Sequence, residues 1–158
     1  MDNEIHRLVA ESRNVTAYLT VASIGSFFCG YYLIAAQNRM LFAFAIALVG
    51  FSGSGIAALT SCLDRYAHGF EREDGTKEPK EANGETFNHR MTRWFLVRPF
   101  LGLIIAPLFL WGIDLLSRES GTFRDSPQHL VFVAFLGGLL AKSVLDLIKN
   151  LFKNVFRT

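Results

Sequence analysis

Long apolar blocks restrict the folding of this chain more than any motif it carries. Four of them, separated by short polar stretches, fill most of its 158 residues. A block of roughly 18 or more apolar residues is long enough to cross a bilayer core of about 30 Å. The same blocks could form buried helices in a large soluble protein, but this chain is too short for that. It has too little polar sequence left to cover four such helices. The expected fold class is therefore all-α: an integral membrane protein built as a four-transmembrane-helix bundle in a single domain. The spans are placed at residues 15–36, 41–63, 99–116 and 129–148. A cytoplasmic lead-in at 1–14, a cytoplasmic loop at 64–93 and a basic cytoplasmic tail at 149–158 flank them. The first block is longer than the roughly 7–15 apolar residues of a signal peptide, and no basic cluster precedes it. It is read as a retained span.

Orientation follows from the basic residues. With the N-terminus inside, thirteen of the sixteen Lys and Arg residues fall on cytoplasmic segments. Only Arg39, Arg118 and Arg124 fall outside, a strong positive-inside bias. Tyr31, Tyr32 and Trp111 then lie near the outer interface and Trp94 near the inner one, as aromatic belts require. A multi-pass protein of a bacterial inner membrane is expected, with both termini cytoplasmic and lipid as its surroundings. The net charge of +2 gives no reason to expect direct nucleic-acid binding. Cys29 and Cys62 are separated by roughly 20 Å in depth on this topology, too far for a disulfide, so two free thiols are expected.

Between the second and third spans, Phe87, Met91, Trp94 and Phe95 recur at helical spacing, with His89, Arg90 and Arg93 facing away. This reads as a short interfacial helix lying before the third span. Pro99 suits the first turn of a new helix, and Pro107 suggests a kink. The turn at 37–40 leaves room only for an antiparallel hairpin of the first two spans.

Three groups of residues are candidates for function. Arg98, Lys142 and Asp146 are charged residues within or at the inner edges of spans, where such residues face protein or water. Lys142 and Asp146 are one turn apart. Arg98 and Asp146 fall at similar depth, which permits an ion pair across two helices or a polar lining at a pore mouth. Asp114 stands near the outer end of the third span. The second group is small. Gly50, Ser54 and Ala58 repeat every four residues, with Gly53, Ala57 and Ser61 beside them, and Gly137-Gly138 follow in the fourth span. Such stripes let helices approach closely, within one bundle or between subunits. The third group is the acidic run in residues 71–86: Glu71, Glu73, Asp74, Glu78, Glu81 and Glu85, against three basic residues. It is a solvated connector or a docking loop for a cytosolic protein partner.

The chain has no phosphate-binding glycine loop, no HExxH and no CxxC. Its four histidines, His6, His68, His89 and His129, are scattered without metal-ligand spacing. The sequence argues against an enzyme and implies no cofactor or metal.

Two stretches carry a resemblance. Arg98-Pro99-Phe100-Leu101-Gly102 opens the third span, and Phe135-Leu136-Gly137-Gly138 is followed by Leu145-Asp146-Leu147 in the fourth. Together they resemble small four-span bacterial inner-membrane proteins that serve as membrane subunits of anti-phage defence systems, of which the Kiwa system is one. The resemblance implies a homo-oligomer that senses or acts at the membrane and holds or signals to a cytosolic effector. It carries over no catalytic residue. Two other functions fit the same features: a small ion channel or transporter subunit, and a holin-like lysis protein.

Overall fold

A computed structural model describes residues 3–36, 41–81, 83–116 and 126–155. The turn at 37–40 and most of the loop at 117–128 lie outside the described residues, as do the last three residues of the tail. Arg39, Arg118, Arg124 and Arg157 fall among these.

The chain is helical apart from one small hairpin. The elements run α1 (Asn3–Ala35), α2 (Phe42–His68), β1 (Phe70–Glu71), β2 (Lys77–Glu78), α3 (His89–Leu116), α4 (Pro127–Leu139) and α5 (Ala141–Val155). Helices α1, α2 and α3 are each long and apolar enough to cross a membrane. Helices α4 and α5 together make a fourth if the pair is one span, but they are bent by 55°. The exterior is apolar along much of its length: Val21, Phe28, Tyr32, Ile104, Trp111 and Phe132 are all exposed. That surface is compatible with lipid contact.

Helix α2 is the centre of the bundle and packs against α1, α3 and α4. Its sequence explains why. Gly50, Ser52, Gly53, Ser54, Gly55 and Ala58 are all buried, and residues this small allow three neighbours to reach one backbone. A Cβ at Gly50 would collide with Ala106 and the Gly102 carbonyl, and one at Gly138 would collide with the Gly50 carbonyl. Helices α2, α3 and α4 therefore meet backbone to backbone at one level. Gly53 lies equally close to the Phe135 backbone. Apolar side chains fill the space on either side of this layer. One cluster is Leu8, Val15, Leu19, Ala58, Cys62, Phe87 and Phe95. The other is Ile34, Ala45, Ile46, Val49, Val131 and Ala134. The cysteines are unpaired, Cys62 buried and Cys29 exposed.

Several boundaries differ from those read in the sequence. The lead-in and the first span are one helix, which at 33 residues is about 50 Å long. The amphipathic stretch at 87–98 is not a separate interfacial helix. It is continuous with the third span in α3, which runs through Pro99 and Pro107. A proline inside a helix costs about 3 kcal/mol or more through its missing N–H. Here that cost is offset by packing, because Phe87, Phe95 and Pro99 are among the most deeply buried side chains. The break falls instead at Leu140, where the sequence places an uninterrupted fourth span. The preceding Gly137-Gly138 are held against Ala106 and Gly50. The strongly amphipathic α5 then turns away.

The polar segment after α2 is also more ordered than a connector. Gly69 ends α2 with φ +105°, a conformation L side chains rarely adopt. In the hairpin, Phe70 faces Glu78 and Glu71 faces Lys77. Asp74 accepts from the backbone and hydroxyl of Thr76 at 2.9 and 2.6 Å, which closes the turn.

The glycine layer makes a specific prediction. Gly50→Val or Gly138→Val should lower stability by about 3 kcal/mol or more, because the overlap is with backbone that has nowhere to move. Gly25→Ala and Gly112→Ala, where a Cβ meets nothing within 4 Å, should unfold in detergent at or slightly above the wild-type temperature, because Ala is the better helix former.

Candidate functional site

The charged chemistry gathers at one end of the bundle, around the start of α3. This region is built on aromatic packing. Phe87 is fully buried and stacks on Phe95, with ring centroids 6.3 Å apart. Phe70 of β1 meets Phe87 edge-on, and Tyr66 of α2 meets Phe70. Backbone bonds lock the same contact: Phe87 N–H donates to Gly69 O at 2.8 Å, and Glu71 N–H donates to Phe87 O at 2.9 Å. The Asn88 side chain then accepts from Met91 N–H at 3.1 Å and caps α3. The hairpin is thus fixed to the helix that carries Arg98.

The N-terminal part of α1 lies beside this assembly. Glu11 accepts from Arg7 at 3.1 Å, pairs with the His89 ring at 2.8 Å and accepts from Thr92 at 3.3 Å. Burial pushes its carboxyl up, but the bonds to His89 and Arg7 outweigh burial and hold it below its ordinary range. Glu4 accepts from Glu73 N–H at 2.9 Å, which ties the first turn of α1 to the hairpin. A cleft of about 400 Å³ remains between them, lined by Arg7, Glu71, Arg72 and His89 among others.

A second cleft, of about 520 Å³, opens between α2, α3 and α5. Ser61, Asp64 and Arg65 come from α2, Arg90, Trp94 and Arg98 from α3, and Lys142 from α5. Arg65 pairs with Glu85, and Asp64 lies 3.7 Å from the His68 ring. Among the described residues Arg98 is the most buried charge, with 7% of its surface exposed. It donates from one terminal nitrogen to Ser61 Oγ at 2.9 Å. Ser61 in turn donates to Ala57 O at 3.0 Å. The Arg98 carbonyl accepts from Ser54 Oγ at 2.8 Å. Its Nε is buried with no hydrogen-bond partner.

The residues singled out in the sequence are distributed as follows. Arg98 and Lys142 line one cleft. The expected Arg98–Asp146 ion pair is not formed: Asp146 is exposed on α5 and acts on Arg98 only by its charge at longer range. The bend at Leu140 carries α5 away from the direction that a straight span would take. Lys142 and Asp146 are likewise both exposed and unjoined. Asp114 is exposed near the far end of α3. Gly50, Gly53, Gly137 and Gly138 pack against backbone or side chains of their own chain, as do Ser54 and Ala58, whereas Ala57 and Ser61 are half-buried. The acidic run divides in two. Glu71 and Glu78 are half-buried and hold Thr86, Asn88 and Arg72. Glu73, Asp74, Glu81 and Glu85 are exposed. Sequence reasoning missed Glu11 with His89, and Ser61 as the partner of Arg98. Only the Arg7–Glu11 spacing of four gave a local sign of the first.

The chain matches no known family model, curated protein or solved structure in comparisons with each.

The Glu11 cluster yields a pH prediction. The lowered carboxyl stabilises the fold fully above its ordinary value of 4.5, and that contribution is lost as pH falls through the lowered folded value. Glu11→Gln should cost about 1 kcal/mol at neutral pH. Thermal unfolding in detergent should show the gap between variant and wild type closing as the pH falls below 4.5 and through the lowered folded value.

Proposed function

We propose that this chain is a four-span inner-membrane subunit with both termini in the cytoplasm, working as a sensor or effector through a cytosolic protein partner. The observation that carries this reading is the fixed hairpin. Its backbone is bonded to Phe87 and to Glu4, so anything that binds the hairpin bears directly on α1 and α3. A loose connector would transmit nothing of the kind. Glu73 in the hairpin turn and Glu81, three residues beyond β2, present exposed carboxylates, suited to a basic patch on the partner. The amphipathic α5, bent from α4, fits a helix lying in the headgroup layer with Lys149 and Lys153 toward water. The resemblance of the third and fourth spans to membrane subunits of anti-phage defence systems points to that setting.

The small-residue stripes lend no support to a pore wall, because Gly50 and Gly53 are covered by α3 and α4 of the same chain. A homo-oligomer would assemble through other faces, such as the exposed apolar side of α1.

Two measurements test the proposal. The protein should remain with membranes after alkaline carbonate extraction. Tagged wild type in mild detergent should retain a cytosolic protein, and Glu73→Lys with Glu81→Lys should reduce its recovery at least about tenfold, since like charges across an interface cost several kcal/mol. Full recovery with the charge-reversed hairpin, or no partner at all, would overturn the docking role.

A further inference from the structure

The cleft between α2, α3 and α5 has the chemistry of an anion site. Arg65, Arg90, Arg98 and Lys142 line it, against Asp64 and Glu85. Glu85 is engaged by Arg65, and Asp146 reaches Arg98 only at longer range. Arg98 as a residue is more than nine-tenths buried. Ser61 satisfies one of its terminal nitrogens, while its Nε has no acceptor in the protein. A buried charged donor without an acceptor costs free energy unless a ligand supplies one. Arg98 lines the cleft with the small part of its surface that stays exposed, and a guanidinium can engage a phosphate with two parallel bonds.

We infer that this cleft binds a phosphate group, and that the phosphate belongs to the headgroup of an anionic phospholipid. The source follows from the surroundings. Trp94, 40% exposed, lines the cleft beside the cations, and an indole with one apolar and one polar side suits the headgroup level. Leu139 and Leu140, three and two residues before Lys142, are exposed and offer acyl chains an apolar surface close to it in the chain. Basic pockets between helices on the cytoplasmic side bind such headgroups in general. This inference rests on the membrane placement proposed above and adds a ligand to it.

The test uses delipidated full-length protein in detergent. Native mass spectrometry would follow adducts after addition of phosphatidylglycerol, phosphatidylcholine or inorganic phosphate. Wild type should retain phosphatidylglycerol selectively. Arg90→Gln and Lys142→Gln alter exposed side chains, so the fold should survive, and each should weaken retention about fivefold. Phosphatidylcholine adducts should not change in either variant. Arg98→Gln should lose the selectivity if it folds, and the two surface variants decide the matter if it does not. Equal phosphatidylglycerol retention by wild type and both surface variants would overturn the site. Retention of inorganic phosphate as strong as that of phosphatidylglycerol would overturn the lipid source. A chain that resists carbonate extraction yet shows no selective retention loses this inference alone, whereas one released by carbonate loses the membrane reading as well.

Discussion

Helices that lie in lipid gain little from the hydrophobic effect when they associate, because lipid tails are as apolar as leucine. On the proposed membrane placement the helices of this chain need close backbone approach instead, and that approach is concentrated where Gly50, Gly102 and Gly138 meet. The rest of the arrangement follows from this layer. Gly102 and Ala106 face α2, so Arg98, four residues before Gly102, must face it too. It meets the next turns of α2, where Ser54 and Ser61 supply a donor and an acceptor. Arg98 is therefore turned inward as a consequence of the glycine contact, and its partners are the small polar residues of the same α2 stripes.

The charged end is held by a different interaction. Phe87 is the point where hairpin and helix meet, through ring contacts with Phe70 and Phe95 and through backbone bonds on both sides. Phe95 is less than one turn from Arg98, so the hairpin, the first turns of α3 and the guanidinium form one packed unit. Helix α1 is long enough to run past the apolar layer and reach this unit with Glu4 and Glu11. The two clefts lie on its flanks, and Arg90 lines both.

The helical class and the apolar segments were legible because hydropathy over a long window needs no tertiary information. The small-residue stripes were legible as contact surfaces, but not their partners. Nothing in the spacing of Gly50 and Ser54 says that Gly102 and Gly138 cover them. The hairpin was missed because its strands are two residues long and its anchor, Phe87, is remote in sequence from Phe70. The acidic run looked uniform, although Glu71 and Glu78 hold the hairpin together while Glu73 and Glu81 face outward. Local rules also misplaced the helix breaks. Pro99 signals a start, yet packing carries α3 through it. Gly137-Gly138 read as a flexible or close-packed point, but nothing local said that the helix would end at Leu140.

That last difference decides the character of the cleft. On a straight fourth span, Lys142 and Asp146 would share one helix face at the depth of Arg98, and the carboxylate would neutralise the guanidinium. The 55° bend between α4 and α5 removes that option. Lys142 remains at the cleft, while Asp146, one turn further along α5, acts on Arg98 without bonding it. A buried charge is costly when it lacks a partner of opposite sign, and Arg98 is left with a neutral hydroxyl from Ser61 and an unused Nε. The bend thus turns a self-neutralised pair into a cationic recess, and it leaves the opposite charge to come from outside the chain.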